Sequence, residues 1–405
     1  MRRGKAEHDP SHRQSSLKLI LPCGQYYIGR SGLQSKPDEG ETKIHLQVCR
    51  FLYIPSGPIN NQAHGQGEIA PMIIDAHAHL VAPASLYAHR SNLVVARGQY
   101  GKFPAAISDA ELEKSAAQNV AIMDGVGTDL QVISPRPFMM IHGENRWEDV
   151  VTWAEDNNDI IARTVKMHPK RFRGVGGLPQ AVGVPVEATF DEIKRCIEQL
   201  GFIGVLLNPD PSEGMGKSPT LADPYWYPLY EFLCKHDIPA HIHSCACCGR
   251  ETYDEHFITE ESLAITTITR SDVFKRYPTL KLMVSHGGGS VPFQVGRWRS
   301  NRQMAIAAGR LPKDTESFDV SLKRFWFDTV VHNKKSLELL FDVVGTDRCM
   351  FGTERPGSGG GVDPETGRPY DDLKPVIESI AELTSADKKA IFESNARKFF
   401  TRLDA

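Results

Sequence analysis

The chain lacks any run of about 18 consecutive apolar residues, the length a membrane-spanning helix requires, so no membrane partner is expected. Its first 71 positions also lack the apolar core of roughly 7–15 residues that a secretory signal carries. Glu7 and Asp9 argue against a transit peptide. The eight cysteines show no regular disulfide spacing, and 405 residues bury a core without staples, which points to a reducing cytoplasm. The formal net charge is only −3, and no stretch interleaves basic and aromatic side chains densely, so nucleic-acid binding is not expected. No Gly-x-Gly-x-x-Gly follows an early strand, which removes the chief sign of a dinucleotide-binding open sheet. The spacing in Cys245-x-Cys247-Cys248 is tighter than the usual zinc pattern, and the loop reads as unpaired thiols.

What the chain does have is alternation. Residues 1–71 carry only short apolar runs, such as Leu17–Leu21, and read as a poorly ordered N-terminal extension or an upstream start chosen in place of Met72. From Met72 onward, short apolar runs alternate with amphipathic segments. The expected strands are Met72–Asp75, Leu130–Ser134, Phe172–Leu178, Gly204–Asn208, Ala240–His243, Leu280–Ser285, Phe325–Val330 and Cys349–Gly352. Between them lie expected helices at Ser108–Asp124 (opened by a capping box to Glu111), Asn145–Val165, Phe190–Leu200, Pro224–His236, Glu260–Arg276, Pro292–Ala307 and Lys334–Val344. Helices over Asp371–Leu383 and Ser385–Phe400 close the chain. Parallel strands need crossover helices, and eight strand–helix units predict an α/β fold, a (β/α)8 TIM-type barrel forming one catalytic domain over residues 72–405.

A barrel collects its chemistry at the C-terminal ends of its strands. Those ends carry His77 and His79, Ser134 with Arg136, Asn208 with Asp210, His243, His286, Asp328 and Glu354. Two histidines at i and i+2 on an extended segment point the same way. Three imidazoles and a carboxylate together suit a catalytic metal with a position left open for water. His241 reads as packing behind the site, and Asp328 alone as a helix cap.

The residues also resemble a known family. Met72 to His79, Ile133 to Arg136, Leu207 to Pro211, Tyr225 to Pro228, His286 to Pro292 with Gly296 to Arg299, Phe327 to Thr329 and Phe351 to Glu354 are similar to the metal-dependent amidohydrolase superfamily. The branch is that of the aminocarboxymuconate semialdehyde decarboxylases, and within it the 4-oxalomesaconate hydratases of protocatechuate 4,5-cleavage. That resemblance implies His77, His79, His243 and Glu354 as ligands of zinc, with manganese the alternative. It implies Glu354 and His286 as the proton-transfer pair. Ser134, Asn208, Arg136 and Arg297 would bind a small polycarboxylate substrate, with Arg299 and Arg250 weaker candidates. It further implies a homodimer. Decarboxylases of the branch usually end strand eight with Asp, so Glu354 favours hydration over decarboxylation; hydrolysis of a lactone or amide stays open as a further alternative. Ala76 and Ala78 stand where the hydratases carry Cys and Gly, which leaves the substrate more open than the metal.

Overall fold

The computed structural model describes residues 72–99, 103–144 and 146–404; the expected extension over 1–71 lies outside them. Eight strands form one sheet: β1 (Ile74–His79), β2 (Leu130–Ser134), β3 (Phe172–Gly177), β4 (Gly204–Leu207), β5 (Ala240–Ile242), β6 (Leu282–Val284), β7 (Trp326–Asp328) and β8 (Cys349–Met350). Each strand pairs in parallel with the next in sequence. The circle closes between β1 and the segment after β8. There Ala76 N donates to the Phe351 carbonyl at 2.8 Å and Glu354 N to the His77 carbonyl at 2.7 Å. The fold is a (β/α)8 barrel.

One buried cluster gathers Ile74 and Ala76, Val132, Val175, Leu206, Met283 and Met350 from six different strands, so it fills the barrel interior. Phe399, Phe400 and Leu403 of the chain's end join it. A Cβ at Gly204, where β4 begins, would stand 3.3 Å from the Phe400 ring and 2.8 Å from the Pro239 carbonyl. The C-terminal segment therefore plugs the end of the barrel where strands start, leaving the other end for chemistry. Outward-facing Val205, Leu207, Ile242, Val284 and Phe327 belong to a second cluster with the surrounding helices. Among the described residues no helix is long and apolar enough to cross a membrane.

Several boundaries differ from expectation for identifiable reasons. β1 runs on to His79, because Leu80 N and His79 N keep pairing with the Ser134 and Arg355 carbonyls. The helix expected from Glu260 starts at Tyr253, behind a Thr252–Glu255 capping box, and stops at Ile268. A separate turn follows at Val273–Arg276. Of Asp371–Leu383, only Lys374–Glu378 is helical. Ala84–Ala96 is a helix that the sequence reading missed; it begins after Pro83 with no side-chain cap to announce it.

Candidate metal centre

β1 carries a bulge. Ile74 and Asp75 pair with Leu130 and Gln131, but the next pairs are Ala78 with Ile133 and His79 with Ser134, so β1 holds one extra residue. The bulge changes which way the strand faces. Asp75 is tied to Gln131 (3.0 Å) and to the Thr353 hydroxyl (2.6 Å). His77 and His79, beyond the extra residue, turn into the mouth of the barrel.

Every imidazole there is held from behind. His77 Nδ1 donates to Asp328 at 2.6 Å, and Asp328 also accepts from the backbone N–H of His286, Gly287 and Val330. His79 Nδ1 lies 2.9 Å from Ser134 Oγ, and His243 Nδ1 donates to the Ser244 carbonyl at 2.7 Å. The three rings stand with centroids 5.0–5.3 Å apart. Each leaves its Nε2 buried and without a hydrogen-bond partner. One ligand atom from each of His77, His79, His243 and Glu354 lies within 4.8 Å of the others. Three orphaned imidazole nitrogens and a carboxylate, all buried, are a donor set that fits a divalent transition ion. Partners on the Nδ1 side fix tautomer and orientation, as around known metal-ligating histidines. Asp328 is thus an anchor for His77 rather than a helix cap. Behind it, His241 donates or accepts at Ser285 Oγ (2.7 Å), its ring 4.4 Å from His77.

Glu354 and His286 both sit at positive φ, 59° and 50°, a conformation that costs on the order of 1–3 kcal/mol and is held here by the surrounding bonds. His286 Nε2 approaches Glu354 Oε1 at 3.1 Å while its Nδ1 donates to Glu261 at 2.9 Å. Phe257 stacks on the ring at 4.2 Å. Burial works against a charge on His286, yet Glu261 and Glu354 on either side hold its pKa well above the ordinary histidine value. Burial likewise opposes ionisation of Glu354, but charged His286, its hydrogen bond to the carboxylate and the nearby His243 ring, whose Nε2 lies 3.7 Å from Oε1, keep the carboxyl well below the usual range. The pair is an imidazolium facing a carboxylate. Glu261, on a helix, gave no signal in the sequence, where acidic residues are common on helices.

The expected substrate contacts fall differently. Arg136 is half-buried at the end of β2, its guanidinium 5.1 Å from the Phe138 ring and its charge felt at His79 and Tyr253. Ser134 is taken up holding His79. Asn208 braces the loop after β4: its Nδ2 donates to His142 Nδ1 (2.8 Å), and its Oδ1 accepts from Asp210 N (3.0 Å). Arg297 is not brought to the histidines. It lies exposed on the helix Val295–Ala307 and bonds Gln294, because that helix turns Trp298 and Arg302 inward instead. Arg299 pairs with Asp319 at 2.6 Å. In the cysteine-rich loop Cys245 is buried and free, while Cys247 Sγ lies 3.4 Å from the Glu251 carbonyl. A cavity of about 490 Å³ opens beside the centre, lined in part by His286, Phe257, Val331, His332 and Ser358.

The amidohydrolase family pattern matches residues 74–402. The chain is 34% identical over 340 residues to 2-keto-4-carboxy-3-hexenedioate hydratase of Sphingobium, covering 82% of this chain and 97% of that protein. It is 30% identical to the 2-amino-3-carboxymuconate-6-semialdehyde decarboxylase of Dictyostelium discoideum, over 67% of this chain and 72% of that one. The crystal structure of 4-oxalomesaconate hydratase from Rhodopseudomonas palustris superposes with a TM-score of 0.72 at 34% identity, covering 82% and 97% of the two chains. The chain belongs to the amidohydrolase family.

Proposed function

We propose that this protein is a hydro-lyase that adds water across the conjugated C=C of a small tricarboxylate, 4-oxalomesaconate being the substrate to test first. The observation that carries the reading is the 3.1 Å contact between Glu354 Oε1 and His286 Nε2, an ionised base beside a charged acid at the same mouth. Hydration needs both: one group takes a proton from water as its oxygen bonds to one alkene carbon, and another delivers a proton to the adjacent carbon. Glu354 accepts and His286 delivers. The hydrogen bond between them then returns the accepted proton to His286, so no proton is gained or lost by the enzyme. General acid–base help of this kind is worth roughly 10²–10⁴-fold.

We assign the cation at His77, His79, His243 and Glu354 as zinc, with manganese the alternative, since histidine and carboxylate ligands suit both. Such an ion, when bound, lowers the pKa of a coordinated water and withdraws charge from a substrate oxygen. Arg136 supplies a planar fork for one substrate carboxylate. Arg297, exposed on its helix, is the second candidate for a substrate carboxylate. The relative from Sphingobium, a hydratase by name and covered over 97% of its length, supports this reading.

Decarboxylation is the second reading, favoured by the Dictyostelium relative. One assay separates them. Zinc-loaded protein is incubated with 4-oxalomesaconate while the conjugated absorbance and released carbon dioxide are followed together. Bleaching without gas is expected; gas release would replace hydration with decarboxylation, and neither would discard both.

A further inference from the structure

A second imidazole–carboxylate cluster lies outside the centre described above. It is built by the loop after β4, the loop after β5, and the helix Tyr253–Ile268. Asp210, His256 and Glu260 each bring one potential ligand atom within 4.8 Å of the others. His256 and Glu260 stand four apart on that helix and so share a face. Asp210 is set by its own loop: Oδ1 accepts from Ser212 N at 3.0 Å and Oδ2 from Gly214 N at 2.6 Å.

The observation that points to a ligand is the state of His256. Its side chain is fully buried, and its Nε2 has no hydrogen-bond partner. The facing Asp210 Oδ2 is 3.6 Å away, too long for a hydrogen bond. Two donors on one tetrahedral zinc ion stand about 3.4 Å apart, given bonds of roughly 2.0–2.2 Å, so the gap matches a shared ion better than a direct contact. On the other side, Glu251 Oε2 sits 3.4 Å from His256 Nδ1. A carboxylate behind the imidazole and an open nitrogen in front is the arrangement that turns a histidine toward a metal.

We propose that Asp210, His256 and Glu260 form a second divalent-cation site, for zinc or a similar transition ion, with Glu251 orienting the imidazole. Glu260 is half-buried, which gives the ion a way in, and water completes its coordination. The ion joins two loops that already touch: Cys248 N donates to the Glu213 carbonyl at 2.7 Å. Those loops begin at Asn208 and His243, so the second ion stiffens the rim from which the first is held.

The test is a zinc count on the full chain, stripped and then reloaded, with a zinc-edge anomalous map from crystals of the same sample. Two ions per chain are expected, falling to one in His256→Gln and, independently, to one in His79→Asn. The map should place a peak bridging His256 Nε2, Asp210 and Glu260. No peak at His256 in the unmodified chain, an unchanged ion count in His256→Gln, or a peak on the Cys247–Glu251 side instead would overturn the assignment. If His256→Gln does not fold, the map of the unmodified protein decides alone. Loss of the peak at His77 with retention at His256 would sink the first centre and leave this one standing.

Discussion

Two imidazole–carboxylate clusters share one rim of the barrel, and they are built on different supports. At His77, His79 and His243 the rings come from strands or strand ends, and Asp328, Ser134 and the Ser244 carbonyl each hold one Nδ1. At His256 a single ring comes from a helix, and its carboxylate neighbours arrive on loops and on the same helix. Strands paired on both sides fix side-chain direction closely; loops do so only through their own internal bonds, as Ser212 and Gly214 do for Asp210. We therefore assign chemistry to the strand-borne cluster, and to the loop-borne one the holding together of its surroundings.

The sharpest way to break this contrast is Glu354→Gln. It removes the proposed proton acceptor from the strand-borne cluster and should lower turnover by about 10²–10⁴-fold, with the fold retained. Steady-state rates beside a denaturation curve check it, and Glu260→Gln in the other cluster should show no comparable loss. Next comes His286→Asn, expected to keep the cation at His77 yet slow the reaction about 10²-fold. Elemental analysis with kinetics reads both, and loss of metal there would make His286 a ligand.

A third buried imidazole, His142, lies outside both clusters and sharpens the comparison. Burial pushes His142 down to about 4, opposed by its hydrogen bond to the Leu178 carbonyl. Its folded pKa lies below the ordinary value of 6.5, so the unfolded chain takes up the proton first as pH falls. The contribution is complete above about pH 6.5 and is lost toward pH 4, amounting to about 3 kcal/mol. Urea unfolding at pH 7 and 4.5 should show that decline, and His142→Gln should flatten it. The smallest effect is expected from Asp328→Asn, which keeps size but weakens the anchor of His77. Cation affinity should drop about 10–100-fold in competition with a chromogenic chelator.

How much of this was legible in the sequence follows the same division. Short apolar runs located all eight strands, with β2 matched at both ends, because buried parallel strands need such runs. Polar residues at the ends of those runs then marked His77, His79, His243 and Glu354, which the structure brings together. The bulge in β1 was not legible, since nothing in Ile74–His79 distinguishes an extra residue from a regular strand. Glu261 escaped because helical acids are usually solvated, and here one is fully buried against His286. Arg297 lies exposed beside Trp298, which the helix turns to the core, so its place in the motif did not reveal which way it faces. Ser134 and Asn208 fell at the right strand ends, but their polar atoms serve the protein itself.

Dependence on the first cation is the claim on which the rest stands. Protein stripped with a tight chelator and dialysed should show no turnover of 4-oxalomesaconate, and activity should return in proportion to added zinc, in the unmodified chain but not in His79→Asn. Undiminished turnover by the stripped protein, or full recovery in His79→Asn, would contradict the account.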